Sequence, residues 1–559
     1  MSIATDSARK PVEACRSSAP QAIARWLEDS AGCERKLEYA RSALEWCRRL
    51  PKLADRLPAA VWKELLKHLV QSAAEAEGTV PVFASAEMGV SPLEPDRTET
   101  PSTDSFEADP LVHQLLAGEL ALSLACLFPK IKACRRLLPQ ARRALSAGLA
   151  NLLDGEGLPH ARHFDRLRPL LACWTRCRAL GNRQKRKCWS ADADARYRQF
   201  VRNALRLSRR DGSEVFFEGA ADEEDGTALT AAVAMVGNRA DRAIASLVLS
   251  GGKKNRRGST GIGLRAAAVH SEWAATAVLR PDWSRSSPRL TVLYPGKSCR
   301  VELGCGKDVL WSGEWGFDVR RDGVLALPVS EWFETCWISD EDVDYLELEI
   351  EIGQDVRLQR HFLMARKDRF LLLADTVLGS WPAALDYRGT LPLGQETTFQ
   401  RAVETREGVL MGGKARAMAI PLALPEWLGD TSGELESPDE TTLELRQTAF
   451  GSSLFAPLFF DLDRRRFRKP LARIFQHDGH GCMKCGVTWR QLTVADSLAI
   501  QPADAAVGYR IAVGGKQWLI YRSLTPPRNR TLLGHNLSGE MLVARFQRNG
   551  EIKAIIEIV

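Results

Sequence analysis

The sequence lacks the features of a membrane-spanning or exported chain. No segment approaches the roughly 18 uninterrupted apolar residues that a membrane span needs. The longest apolar stretch, residues 115–128, is shorter and is interrupted by Glu119. Residues 1–21 are polar and contain no apolar h-region, so we expect no secretory signal and no membrane partner.

Dense cysteine spacing is also missing. The 13 cysteines are odd in number and scattered through the chain, unlike those of a small disulfide-rich secreted domain. This usage favours a reduced, cytoplasmic setting. The sequence also has no G-x-x-x-x-G-K-[ST] phosphate loop, and the glycine-rich segment at 258–263 does not follow a predicted strand.

The charge is nearly balanced, at 77 basic and 70 acidic residues, which leaves a net charge of +7. Such a balance permits an acidic partner, for example a uronic polysaccharide, without requiring one. Basic runs occur at 183–187, 253–257 and 464–469, but they lie far apart and no known nucleic-acid module accompanies them. We interpret them as solvated loops and do not expect a nucleic-acid partner.

The chain of 559 residues is long enough for two or three domains. Residues up to about 250 have helical periodicity, and those beyond it have the period of two that strands show. Residues 79–109 lose all periodicity and are rich in proline, serine, threonine and glutamate. The predicted parts are an N-terminal helical segment (1–78), a flexible linker (79–109), a helical domain (110–250), a short linker (251–262) and a β-sandwich domain (263–559).

Local signals place several helices. Asp109-Pro110 predicts a helix start, because aspartate is a good cap and proline is tolerated at the first helical position. Further helices are predicted at about 140–153 and 164–180, a helix capped by Ser190 follows, and one continuous helix is predicted at 227–249. Consecutive helices with short connections indicate antiparallel pairs, as in a bundle or an α/α toroid.

Strand signals fill the second half. Residues 346–352 alternate strictly, which predicts a strand with one buried and one wet face in an antiparallel sheet. Residues 357–365 and 370–377 form a predicted hairpin, and Asn549-Gly550 marks another. Many short strands separated by turns indicate a large antiparallel β-sandwich. The predicted fold class is therefore multi-domain, all-α and then all-β.

Three segments resemble heparinase II/III-type polysaccharide lyases. Residues 152–160 (LLDGEGLPH) resemble the loop that joins two helices of the family's helical toroid. Residues 275–290, with Val278-Leu279-Arg280 before Trp283, resemble the strand that opens its β-sandwich. Residues 360–375 resemble paired strands, the first bearing arginine and the second ending in aspartate. The similarity covers about residues 110–400 and implies an α/α toroid followed by a β-sandwich.

The resemblance implies β-elimination on chains that contain uronic acid. A base removes the proton beside the carboxylate, and an acid protonates the departing oxygen. The positions matching the family's loop offer His160 and His163 as catalytic candidates, with Tyr197 on the next helix as the acid. Arg162 and Arg166 are the candidates for binding the carboxylates of an acidic polysaccharide or oligosaccharide.

Two alternatives stay open. The family's sandwich usually contributes a histidine-rich turn, whereas this sequence has Gly-Cys-Gly-Lys at 304–307 and no histidine between His270 and His361. A non-catalytic relative that binds glycans or a protein partner is therefore the second hypothesis. The candidates also have plainer interpretations: solvated histidines and arginines near a helix end, and a core tyrosine at Tyr197.

One further cluster contains metal-ligand side chains. Two imidazoles and two thiols fall within nine residues, at His477, His480, Cys482 and Cys485. Zinc can use such ligands, but four this close crowd the backbone, and a loop between strands explains them better. We expect no cofactor, with zinc as the alternative, and the pattern does not predict the oligomeric state.

Overall fold

The computed structural model describes residues 19–30, 37–78, 109–217, 223–249, 266–353, 355–429, 431–466, 487–496 and 505–559. The chain divides into two compact units. Unit 1 comprises Met1–Ala204 and Ala221–Arg242, and unit 2 comprises Leu205–Ala220 and Ala243–Val559. Apart from Asp109, the linkers predicted at 79–109 and 251–262 lie outside the described residues.

Unit 1 is helical. Its elements are α1 (Ala19–Ser30), α2 (Leu37–Leu53), α3 (Ala59–Gly78), α4 (Pro110–Leu127), α5 (Lys132–Asn151), a 3-10 turn (Ala161–Arg166), α6 (Leu167–Arg183), α7 (Ala191–Arg206), α8 (Glu223–Val236) and α9 (Arg239–Val248). The last residues of α7 and α9 belong to unit 2. Helices α2 and α3 of the N-terminal segment pack against α4, so the described N-terminal helices share one core with the helices that follow residue 109.

Helix α4 is the centre of unit 1. Asp109 accepts a hydrogen bond from the Leu111 amide at 2.9 Å, which confirms the predicted cap. By length and composition α4 is the one described helix that could cross a membrane, but 83% of it is buried, as in the core helix of a folded domain. Its middle turns, Gln114–Leu120, are π-helical. Glu119 in this segment is buried and receives two hydrogen bonds from Arg176, at 2.7 and 2.8 Å.

The continuous helix predicted at 227–249 is wrong, since α8 ends at Val236 and α9 begins at Arg239. A Cβ at Gly237 would lie 2.5 Å from the carbonyl oxygen of Val233, so the chain turns where only glycine fits. Asn238 and Asp241 then cap each other's backbone amides, both at 2.9 Å. This reciprocal cap starts a new helix and outweighs the apolar stripe that continues through it.

Unit 2 is built from antiparallel sheets. The first contains β1 (Val269–Ser271), β2 (Thr276–Leu279), β3 (Pro288–Leu293), β4 (Arg300–Cys305) and β5 (Asp308–Glu314), in that order. The largest has eleven strands: β6 (Gly316–Arg321), β7 (Val324–Ala326), β8 (Phe333–Ser339), β9 (Val343–Ile352), β10 (Val356–Ala365), β11 (Phe370–Pro392), β12 (Thr397–Arg401), β13 (Gly408–Gly412), β14 (Ala415–Pro421), β15 (Gly433–Glu436) and β16 (Thr442–Asp461). The C-terminal sheet contains β17 (Val487–Leu492), β18 (Ala506–Val513), β19 (Lys516–Ser523), β22 (Met541–Phe546) and β23 (Ile552–Ile558), and β20 (Arg530–Leu532) pairs with β21 (His535–Leu537).

The eleven-stranded sheet and the C-terminal sheet face each other across one hydrophobic core, which makes a β-sandwich. Phe370 and Phe459 of the larger sheet stack at 4.8 Å between ring centroids, and Trp518 of the smaller sheet meets them at 5.3 and 5.6 Å. Aromatic side chains bury large apolar areas and dominate such cores. The predicted hairpin of 357–365 with 370–377 is confirmed as β10 and β11.

Strand β9 corrects one prediction. The alternation at 346–352 indicated a wet face, but Glu347 is only 3% exposed and Glu349 7% exposed. Glu347 lies 3.7 Å from Arg522 of β19, so the C-terminal sheet covers the face that was predicted to meet water. An alternating pattern distinguishes two faces, and it does not distinguish water from a second sheet that supplies charged partners.

Candidate functional site

The predicted loop at 152–160 does join two helical elements, α5 and the 3-10 turn. Asp154 organises it by accepting hydrogen bonds from the amides of Glu156 and Leu158, at 2.9 and 2.7 Å. Gly157 has a φ of +78°, and a Cβ there would lie 2.4 Å from the backbone nitrogen of Phe200. The loop therefore packs against α7 at a distance that only glycine allows.

His160 ends this loop and caps the 3-10 turn. Its Nδ1 accepts a hydrogen bond from the Arg162 amide at 3.1 Å. Burial, and then repulsion from Arg162 and His163, lowers the pKa of His160 to about 4, so the imidazole is neutral at pH 7. Because Nδ1 is the acceptor, the proton of the neutral ring is on Nε2. His160 can thereby donate a hydrogen bond through Nε2, and its catalytic role stays a prediction.

The neighbouring candidates lie on the same short turn. The His163 ring is 6.3 Å from that of His160, and both histidines are half-buried. Arg162 is exposed, and Arg166 is 43% exposed and forms an ion pair with Asp109 at 3.3 Å. We call the side chains of His160, Arg162, His163 and Arg166 the imidazole–guanidinium edge. They can offer hydrogen bonds and positive charge to a carboxylate.

Tyr197 lies in a different environment. It is 0% exposed on α7, and its hydroxyl is 2.9 Å from the Thr175 hydroxyl of α6. Its ring packs on Trp189 at 5.2 Å, and burial raises the pKa of the phenol to about 12. These are the contacts of a core tyrosine. Its role as the catalytic acid stays a prediction, and protonating a substrate would require the hydroxyl to leave this position.

The segment 304–307, where the resemblance implies a histidine-rich turn, is the tight connection of β4 to β5, with Gly306 at a φ of +73°. Basic side chains surround it. Arg289 of β3 and Arg209 both bond the buried carboxylate of Glu302, at 2.7 and 2.6 Å. These arginines were not predicted as functional, because nothing in their spacing indicates that distant segments meet at one turn.

Among the residues with assigned positions, no group of three or more His, Cys, Asp or Glu side chains could hold a metal ion. The alternative zinc ligands, His477, His480, Cys482 and Cys485, lie outside the described residues. That hypothesis stays a prediction, for which metal analysis of the Cys482→Ser variant is the direct measurement.

Comparisons with known proteins give no match to a protein-family model and no match to a curated protein. Solved structures do match. A heparinase III structure aligns with a TM-score of 0.58 and 9% identity, covering 92% of this chain and 81% of that one. A heparinase III structure with methylated lysines gives 0.57 and 10%, covering 93% and 76%. Heparan sulfate lyase HepC from Pedobacter heparinus gives 0.52 and 12%, covering 92% and 80%.

At these identities the similarity shows the fold. The helical unit followed by the antiparallel sandwich is a heparinase-like toroid and β-sandwich, which confirms the architecture predicted from the sequence. Fold alone does not assign an activity, because the chemistry of a protein depends on the side chains of its site.

Proposed function

We propose that this chain binds acidic polysaccharides through the imidazole–guanidinium edge of unit 1. The observation that supports the proposal is the half-exposed cluster of His160, Arg162, His163 and Arg166, on a chain whose fold is that of lyases named for heparin-type glycans. Guanidinium groups pair well with planar carboxylates, and the Nε2–H of His160 adds a neutral donor. None of the nine cysteines that the structure describes forms a disulfide, which favours the cytoplasm as the place of action.

Binding to a panel of uronic polysaccharides tests this proposal. We expect the Arg162→Gln/His163→Gln variant to bind the preferred polymer about a hundredfold more weakly, since two charge-assisted hydrogen bonds are lost and each contributes about 1.5 kcal/mol or more. Isothermal titration or affinity electrophoresis at fixed salt measures the change. The matched control is Arg136→Gln, another exposed arginine of unit 1, on α5. Equal affinity of the wild type and the double variant would overturn the proposal.

The second candidate function is β-elimination on the same class of polymer, which the fold shared with heparinase III and HepC favours. Of the two histidines in the imidazole–guanidinium edge, His160 caps the 3-10 turn. We therefore assign the role of general base to His163. His160 would bind the substrate carboxylate through Nε2–H, and Tyr197 would supply the acid. The reaction produces an unsaturated uronic acid, which absorbs in the ultraviolet.

The Tyr197→Phe variant separates catalysis from structure. If Tyr197 is the acid, the variant loses the ultraviolet-absorbing product while glycan binding persists. If it is only a core residue, the variant loses about 1 kcal/mol of stability with the Thr175 hydrogen bond and turns over as the wild type does. A wild-type protein that binds the panel without forming product excludes elimination on those polymers and leaves the binding proposal intact.

A further inference from the structure

Unit 2 contains a small polar recess. Its walls come from the turn at 208–210, the connection of β2 to β3, the start of β3 and the turn of β4 to β5. Six cationic side chains line it: Arg209, Arg210, Arg280, Arg285, Arg289 and Lys307. The concentration of positive charge from separate segments of the chain sets this recess apart from an ordinary solvated surface.

The acidic side chains at the recess are already occupied. The carboxylate of Glu302 is buried and accepts hydrogen bonds from Arg209, Arg289 and the Phe216 amide. Asp308 accepts from the amides of Lys414 and Ala415, at 2.7 and 2.8 Å. Arg209 and Arg289 are thus paired with Glu302, whereas Arg210, Arg280, Arg285 and Lys307 form no ion pair with the residues that the structure describes.

Arg280 shows the imbalance most clearly. It is 7% exposed, its guanidinium lies 4.6 Å from the Trp283 ring, and its Nε donates to the backbone carbonyl of Asp282 at 2.9 Å. Burial, and then repulsion from Arg289, lowers the pKa of Arg280 to about 9, although the Asp282 charge opposes the shift. A buried cation held mainly by a ring and a carbonyl is costly unless an anion accompanies it.

Within the described ranges, two further arginine side chains also lack an acceptor for a buried N–H group. The Nε–H groups of Arg210 and Arg289 are buried and have no hydrogen-bond partner among the residues that the structure describes. Buried polar groups in folded proteins nearly always have a partner, so such atoms indicate a missing acceptor. Gly304 allows the Arg289 guanidinium to lie close to β4, because a Cβ there would be only 3.1 Å from Nη2.

We propose that this recess is a binding site for a tetrahedral oxyanion, sulfate or phosphate, held by Arg210, Arg280 and Arg285 with Lys307. Because the cations come from several separate segments, they suit a tetrahedral anion, which has acceptor oxygens on all sides, better than they suit a planar carboxylate. The site is distinct from the imidazole–guanidinium edge in its residues and its ligand. The oxyanion can be a free ion or a sulfate ester on a polysaccharide, and the experiment distinguishes the two.

The test uses the full chain, with inorganic sulfate, phosphate and chloride at equal ionic strength. We expect sulfate or phosphate to raise the melting temperature above that in chloride, and titration calorimetry to give a dissociation constant. Arg210→Gln and Arg285→Gln should each weaken that affinity about tenfold, since each removes a charge-assisted donor. Arg285 is exposed, so its variant should fold even if that of the half-buried Arg210 does not. Arg320→Gln, at an exposed arginine of β6, is the control.

A second arm identifies the source. A sulfated oligosaccharide that competes with inorganic sulfate, while its desulfated form does not, assigns the site to sulfate esters. If neither oligosaccharide competes with inorganic sulfate, the site is assigned to the free oxyanion. The proposal is overturned if sulfate and phosphate bind no more tightly than chloride, or if Arg285→Gln binds them as the wild type does. Because Arg162→Gln/His163→Gln leaves this recess intact, its effect on polymer binding reports on the proposed function separately.

Discussion

Replacing Arg360 by methionine is expected to lower the free energy of unfolding by about 3–5 kcal/mol, because the change leaves the buried Asp375 carboxylate without its cation. Both side chains are 0% exposed. The guanidinium donates to the two oxygens of Asp375, at 2.9 and 2.8 Å, and to the Trp315 carbonyl at 2.7 Å. It also lies 3.9 Å from the centroid of the Trp315 ring, so a cation–π contact is lost as well. Urea unfolding of the full chain, followed by tryptophan fluorescence, measures the loss.

Arg357→Met is the matched control, since it removes an arginine from the same strand. The Arg357 side chain is 54% exposed and lies 3.3 Å from Glu349, so water screens the pair and the expected loss is about 0–1 kcal/mol. A similar small loss for both variants would contradict the buried-pair argument. Adding Asp375→Leu to Arg360→Met should recover part of the stability, because no uncompensated charge then remains. The Tyr387 hydroxyl, which donates to Asp375 at 2.7 Å, limits that recovery.

The Arg360 pair also illustrates what could be predicted. The sequence placed residues 360 and 375 on adjacent strands of a hairpin, and the register pairs these two positions directly. Hairpins and caps depend on neighbouring residues, so local signals suffice for them. The Asn549-Gly550 turn between β22 and β23 and the cap by Ser190, whose hydroxyl accepts from the Ala193 amide at 3.2 Å, are confirmed in the same way.

Features that depend on distant partners were not predicted. Glu347 and Glu349 occupy the polar positions of an alternating strand, and only the position of the C-terminal sheet decides that they are buried. The break between α8 and α9 has a local cause in Gly237 and Asn238, but a lone glycine inside an apolar helical pattern is often tolerated.

In the candidate site, too, local features were predicted and features that depend on distant partners were not. The loop that carries His160 was found through its resemblance to the loop of heparinase II/III-type lyases, and its turn is built by Asp154 and Gly157. The position of the proton on the His160 ring depends on the cap, in which Nδ1 accepts a hydrogen bond from the Arg162 amide. The sequence does not show this hydrogen bond. Tyr197 occupies an apolar stripe, and that position was compatible with either a core or a cleft. Arg210 and Arg280 were not predicted as binding residues, because only the fold brings their distant segments together in the recess.

The sandwich is also expected to lose stability in mild acid through His361, by at most about 1.4 kcal/mol per pH unit below its unfolded pKa of about 6.5. This side chain is 0% exposed, with Nε2 at 2.8 Å from the Thr376 hydroxyl and Nδ1 at 3.0 Å from the Tyr345 hydroxyl. Burial lowers the pKa of His361 below its usual value of 6.5, although Glu347 opposes the shift. The unfolded chain therefore takes up a proton at a pH where the folded chain does not, and acid favours unfolding.

A second loss follows at lower pH. Burial raises the pKa of Glu347, but His361, Arg522 and the Tyr345 hydroxyl together hold it below its usual range. The stability that this carboxylate contributes is present above its unfolded pKa of about 4.3 and disappears as the pH falls further. Urea unfolding at several pH values should show both steps, and His361→Gln should flatten the first step and weaken the second, because His361 helps to hold the Glu347 carboxylate in its charged form. His535→Gln, at a half-buried histidine of β21, is the matched control. A slope between pH 6.5 and 5 that persists in His361→Gln would assign the acid sensitivity to other groups, and the buried imidazole would then titrate alike in the folded and unfolded chain.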